Sequence, residues 1–174
     1  HLSRKKPQIK KTKTPLPANT ANNHSYVTGE GKILTGDWDK NRIFVCDEGA
    51  CEVLTTKTGN ADLGNLQLYY YSKSGDHYFS TSKNVYQWNT SDFTVQLLSE
   101  NTRDPQTEFR NFTEDARGNI YIRERQKGIF YLKKGKSSLE YFECDIRSGN
   151  YSALYYDKTT DKLWLASEKN GLYI

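Results

Sequence analysis

From residue 26 onward the apolar positions come in short runs, each closed off by Gly, Asn, Asp or Ser. None of the runs sustains the i, i+3, i+4, i+7 spacing of an amphipathic helix, so no helix is predicted. The runs predict strands over 33–39, 42–47 and 50–54, then 66–73, 77–82, 85–89 and 94–98. Further strands are predicted over 108–115, 120–125, 128–134 and 139–143, and last over 151–158, 163–168 and 171–174. Aromatic residues make up 13% of the chain, with 13 Tyr, and this enrichment favours strands.

The pattern repeats. Thr113 to Leu132 reads as an acidic turn, a Gly118-Asn119 corner, an aromatic strand, a polar loop, Gly128 and a second short strand. It returns over 157–174 and over 75–88, and more faintly over 41–53. Setting Ile43, His77, Ile120 and Leu163 in register gives spacings of 34, 43 and 43 residues. A period of this size marks a solenoid, a propeller or an array. Four short strands per repeat predict an all-β fold, a β-propeller built from four-stranded antiparallel blades. The blades are expected near 30–62, 63–105, 106–148 and 149–174. The last repeat stops on its third strand. Either a four-bladed ring borrows a strand from the N-terminal arm, or about four repeats form part of a larger ring of six to eight blades; the second is favoured because the sequence stops inside a repeat, and an isolated open arc would leave long sheet edges unpaired.

Composition separates an arm from this body. Residues 1–24 hold Arg4, Lys5, Lys6, Lys10, Lys11 and Lys13 with no acid, and three of the four Pro. Such a stretch buries too little apolar area to offset its ordering entropy and reads as a basic linker or extended arm. The remaining residues, 25–174, carry 19 Lys and Arg against 21 Asp and Glu, so the net +4 belongs to the arm. A nearly neutral body argues against a broad nucleic-acid surface. No window reaches 18 apolar residues, so a membrane would be met only through other parts of a longer chain. Cys46 and Cys51 flank a hairpin-turn sequence that brings them within bridging reach; a bonded and a reduced pair both remain open. Cys144 has no partner in this pattern.

The motifs Gly118-Asn119-Ile120-Tyr121-Ile122 and Asp161-Lys162-Leu163-Trp164-Leu165 are followed by Gly128-Ile129-Phe130 and Gly171-Leu172-Tyr173. In these residues the repeat resembles the two-component regulator propeller, over residues 30–174. Asp115 and Asp157 match the acidic position. Arg123-Glu124 and Ala166-Ser167 stand where the family has Gly-Thr, and the first repeat diverges most. The resemblance implies a periplasmic or extracellular sensor region of a bacterial hybrid histidine kinase. Such regions act as homodimers and detect oligosaccharides from polysaccharide breakdown.

Sugar recognition needs flat aromatic faces beside polar groups. Trp38 and Tyr71, at turn entrances, are the aromatic candidates, whereas Tyr121 and Trp164 hold equivalent repeat positions and read as packing. Arg123 and Arg125 open a loop and offer a bidentate grip on an acidic sugar. Asp37, Asp39, Asn41 and Glu48 loosely follow a Ca²⁺ loop, but Arg42 stands where its sharp turn needs Gly. No metal, cofactor or catalytic constellation is therefore assigned. Three functions follow in order: a glycan-sensing propeller of a two-component protein, a surface module binding another protein, and a propeller enzyme acting on polysaccharide.

Overall fold

The computed structural model describes residues 22–100, 109–124, 128–143 and 151–174, and among them there is no helix. The first sheet is β1 (Asn22–Val27), β2 (Ile33–Asp37), β3 (Arg42–Asp47) and β4 (Ala50–Val53). A short β5 (Thr55–Thr56) then crosses to the next sheet, which contains β6 (Leu66–Tyr71), β7 (His77–Thr81), β8 (Asn84–Asn89) and β9 (Thr94–Glu100). There β5 pairs in parallel with β9. The third sheet is β10 (Phe109–Glu114), β11 (Ile120–Glu124), β12 (Gly128–Leu132) and β13 (Glu140–Tyr141). The fourth holds β14 (Tyr151–Asp157), β15 (Lys162–Ser167) and β16 (Gly171–Tyr173). Apart from β5, each sheet is an antiparallel meander, the blade of a β-propeller.

Two features of the first repeat differ from the sequence reading. A strand, β1, begins at Asn22, inside the stretch read as arm, and supplies the inner strand missing from the first repeat. The second strand of that sheet is β2, so Ile33, not Ile43, stands where His77, Ile120 and Leu163 stand, at spacings of 44, 43 and 43. Ile43 belongs to the third strand.

The same turn joins first and second strands in three sheets. Thr28, Ser72 and Asp115 each accept, on a side-chain oxygen, the backbone N–H four residues on, from Lys32, Asp76 and Asn119 (3.1, 2.9 and 2.8 Å). Gly31, Gly75 and Gly118 take the left-handed conformation each turn needs, with φ of 84°, 90° and 86°. The acidic residue of the repeat is thus a turn cap. Burial pushes the Asp115 carboxyl up. The hydrogen bonds from Asn119, Arg117 N–H and Tyr121 outweigh that and hold it below the ordinary value.

The inner strands β1, β6, β10 and β14 lie side by side in chain order, and no comparable contact returns from β14 to β1 among the described residues. Three cores fill the three spaces between sheets. Leu34, Ile43 and Val45 meet Phe79, Tyr86 and Trp88. Tyr78 and Val85 meet Phe109, Ile120 and Ile122. Tyr121 and Ile129 meet Leu154 and Leu165. Neighbouring residues of β7 face opposite cores, so the whole strand is buried and its sequence shows no apolar–polar alternation.

Candidate functional site at the mouth of the inner strands

Each inner strand departs from regular pairing once, at the same end. The register shifts between Asn22 and Ser25 in β1, between Leu66 and Leu68 in β6, between Arg110 and Phe112 in β10 and between Tyr151 and Ala153 in β14. A bulge leaves one residue outside the ladder and re-aims it. Here those residues are Gln67, Asn111 and Ser152, all polar, with His24 in the corresponding part of β1; Asn111 has a φ of 58°. This end, which also carries the β2–β3 turn, is the mouth. The turns capped by Thr28, Ser72 and Asp115 lie at the opposite end, the base.

A groove of about 410 Å³ opens at the mouth, lined by His24, Tyr26, Trp38, Asn65, Gln67 and Arg110 among others. It crosses β1, β6 and β10, and therefore three sheets. Trp38 is 52% exposed. It sits in a turn where Asp37 Oδ1 accepts the Asp39 N–H (3.2 Å) and Asn41 is left-handed (φ 53°). That bond closes the turn locally. The Tyr26 hydroxyl donates to the Gln67 carbonyl (2.5 Å). Gly36 lets β2 and β6 close up, since a Cβ there would lie 2.9 Å from Leu66 Cβ. The amide oxygens Asn65 Oδ1 and Gln67 Oε1 are buried without a hydrogen-bond partner. Each such group costs about 1–3 kcal/mol.

The residues singled out from the sequence do not converge. Trp38 lines the groove. Tyr71 lies at the base, 44% exposed, its ring against Gly29 and 4.8 Å from the His77 ring. Arg123 is buried between the third and fourth sheets, where Nε donates to Asn111 Oδ1 (3.1 Å) and a terminal nitrogen donates to the Tyr151 carbonyl. It braces two sheets and is not free to grip an acidic sugar. Arg125 lies outside the described residues, as does Cys144. Cys46 and Cys51 face each other across β3 and β4 and are bonded, S–S 2.06 Å, at the base. The groove residues Asn65, Gln67, Arg110 and His24 escaped the sequence reading. Their signal was a polar residue recurring near the start of each inner strand.

The base is tied by polar struts. His77, 2% exposed, joins Glu30 Oε1 through Nε2 and the Tyr69 hydroxyl through Nδ1, both at 2.8 Å. Glu114 accepts from the Tyr70 hydroxyl (3.2 Å) and from the Lys73 N–H (2.9 Å). A larger cavity, about 610 Å³, opens between the third and fourth sheets. Two tyrosines of its wall pair with acids there, Tyr121 with Asp115 and Tyr156 with Asp161. Burial and Asp115 push the Tyr121 phenol up to about 12. Among the described residues no three His, Cys, Asp or Glu gather as a metal site, and no helix is long and apolar enough to cross a membrane.

No family model and no curated protein sequence matches the chain. Solved structures do. A catalytically inactive virginiamycin B lyase from Staphylococcus aureus, with quinupristin, matches at a TM-score of 0.63 and 15% identity, over 87% of this chain and 51% of that one. The extracellular domain of the hybrid two-component system BT3049 from B. thetaiotaomicron matches at 0.62 and 17%, over 88% of this chain and 22% of that one. YCF48 bound to D1 peptide matches at 0.57 and 18%, over 91% and 52%. At these identities the likeness shows the fold, a β-propeller. The chain spans about half the length of the lyase and of YCF48, and about a fifth of the BT3049 domain.

Proposed function

We propose that the chain is part of an extracytoplasmic sensor propeller of a two-component signalling protein, and that the mouth groove binds a glycan-derived oligosaccharide. The observation that carries this reading is the groove itself. It sets an exposed indole beside amides, an imidazole and a guanidinium, the set that stacks on a sugar ring and holds its hydroxyls. A hydroxyl that draws the Asn65 or Gln67 amide into the groove gives its unpaired oxygen a donor and recovers that group's desolvation cost.

The fold shared with the BT3049 extracellular domain supports the compartment and the signalling role. The Cys46–Cys51 bond agrees with an oxidising compartment. In this reading the sensor works as a homodimer with two arrangements. The sugar must bind one arrangement better than the other, since equal affinity shifts nothing.

The test is titration of the protein with a panel of neutral and acidic oligosaccharides, followed by tryptophan fluorescence and calorimetry. Saturable binding that weakens about tenfold or more in Trp38→Ala is expected, the scale of one lost aromatic stacking contact. Unchanged affinity in a folded Trp38→Ala protein would remove the groove from the reading. The open run of the groove across three inner strands also suits an extended peptide, and YCF48, which shares the fold, binds D1 peptide. Binding of peptides and of no sugar would favour that module.

A further inference from the structure

At the base, β3 and β4 are joined by Glu48 and Gly49 alone, whereas β12 and β13 are joined by the longer run 133–139, which begins Lys133-Lys134-Gly135-Lys136-Ser137. This loop leans back onto the second sheet and is pinned there. Leu139 N–H donates to the Leu98 carbonyl (2.9 Å) and Gln96 Nε2 to the Ser137 carbonyl (3.3 Å), while Lys134 N–H donates to Asn119 Oδ1 (3.0 Å) in the β10–β11 turn of the loop's own sheet. A turn closed by Lys136 N–H on the Lys133 carbonyl (2.9 Å), with Gly135 left-handed at φ 76°, sets its shape.

The loop and the second sheet enclose a cavity of about 430 Å³. Three lysines stand on one wall, with Ser74, Asp76 and Tyr78 opposite. Lys133 is already committed, with Nζ 3.5 Å from Glu140 Oε2 and 5.4 Å from the Tyr131 ring centroid. Lys134 and Lys136 have no carboxylate partner among the described residues. Asp76 has both oxygens occupied, accepting from Ser74 Oγ–H (2.5 Å) and from Gln87 Nε2 (3.2 Å). Burial, Asp76 and Glu114 push the Tyr78 phenol up to about 12, so at neutral pH it keeps its proton, carries no charge and can donate a hydrogen bond. The cavity thus sets two ammonium groups without a carboxylate partner, on a loop whose backbone is already held, opposite the phenol O–H of Tyr78 in β7 and the single carboxylate of Asp76.

We propose that this cavity is a second ligand site, separate from the mouth groove, that takes a tetrahedral oxyanion: a sulfate or phosphate, free or as an ester. Two lysines present compact point charges with three donors each, which suits an anion approached from several directions. No arginine is among the lining residues, so no bidentate fork fixes the plane of the anion.

Calorimetry on the full chain at constant ionic strength tests this, with sodium sulfate, sodium phosphate and a monosulfated sugar as probes. Saturable binding is expected, weakened tenfold or more by Lys134→Ala with Lys136→Ala, as charge-assisted hydrogen bonds are lost. The pair Lys134→Arg with Lys136→Arg should retain part of it. Exposed lysines far from the cavity give the control: Lys158→Ala with Lys169→Ala should leave binding unchanged. No saturable binding, or equal weakening in the control pair, overturns the proposal. A monosulfated sugar binding tenfold tighter than free sulfate identifies an ester ligand, and equal affinities identify the free oxyanion.

Discussion

Replacing His77 by alanine tests how the first two sheets are joined. The imidazole is 2% exposed, contacts Glu30 and Tyr69 at 2.8 Å, and packs 4.8 Å from both the Tyr71 and Trp88 rings. Its removal leaves a void and strands the Tyr69 hydroxyl. Large-to-small changes of this size in a packed site cost about 3 kcal/mol, with about 1 kcal/mol more for the orphaned polar group. Glu30 is 42% exposed, so its contribution is discounted for solvent and Glu30→Ala alone should cost no more than about 1 kcal/mol. If the two residues work as one strut, the double variant should be less destabilised than the sum by about 0.5–1 kcal/mol. Urea unfolding at pH 7 supplies the numbers. Hydrogen exchange supplies the location: each sheet contacts only its neighbours, so protection should fall in β2 and β7 before β14 and β15. Additivity within about 0.3 kcal/mol, or uniform loss of protection, would refute the reasoning.

Asp115→Asn should flatten the acid limb of the stability curve. A carboxyl held below its ordinary value contributes stability that is present above about pH 4 and is lost as pH falls through the folded-state value. The variant should therefore be less stable at pH 7 and differ less from the parent at pH 3, as urea midpoints at the two pH values would show. Replacing Cys46 and Cys51 by serine removes a link between residues five apart in sequence. Loop-entropy reasoning sets the loss at about 2 kcal/mol. Because the bond lies at the base, the thermal midpoint should drop while affinity at the mouth groove stays constant.

The strands were legible because Gly, Asn and Asp bracket nearly every apolar run. The first repeat was misread for a definable reason. Its second strand carries Leu34 where the other repeats carry Tyr78, Tyr121 and Trp164, while the third strand, with Phe44, imitates the aromatic pattern. Missing β1 also changed the parity of the turns. Loops of an antiparallel meander alternate between the two ends. Counting 33–39 as a first strand sets the Trp38 turn at the end where Tyr71 lies. With β1 in place the two residues fall at opposite ends. Bulges left no mark in the hydrophobic pattern, so the recurring polar residue at the start of the inner strands did not show where Gln67 and Asn111 are aimed. Arg123 reads in the sequence as opening a loop at the end of the strand predicted over 120–125; it lies within β11, and the neighbouring sheet covers it.

The position of the mouth groove bears on how a bound ligand would be felt. Trp38 belongs to the first sheet, Gln67 to the second and Arg110 to the third, so the groove spans two of the three cores. Those cores are separate clusters, and at the base His77 and Glu114 brace the same two spaces. In an array of neighbour contacts, a small rotation of one sheet against the next is opposed by one core and a few polar ties, Tyr26 with Gln67 and His77 with Glu30 among them. Such a rotation moves Trp38 relative to Arg110 more than it moves either within its own sheet. A ligand that holds both would therefore distinguish between arrangements that differ in the angle between sheets. That difference in affinity is what a signalling module must supply. A ligand bound to one sheet alone would be held as tightly in either arrangement and would transmit nothing.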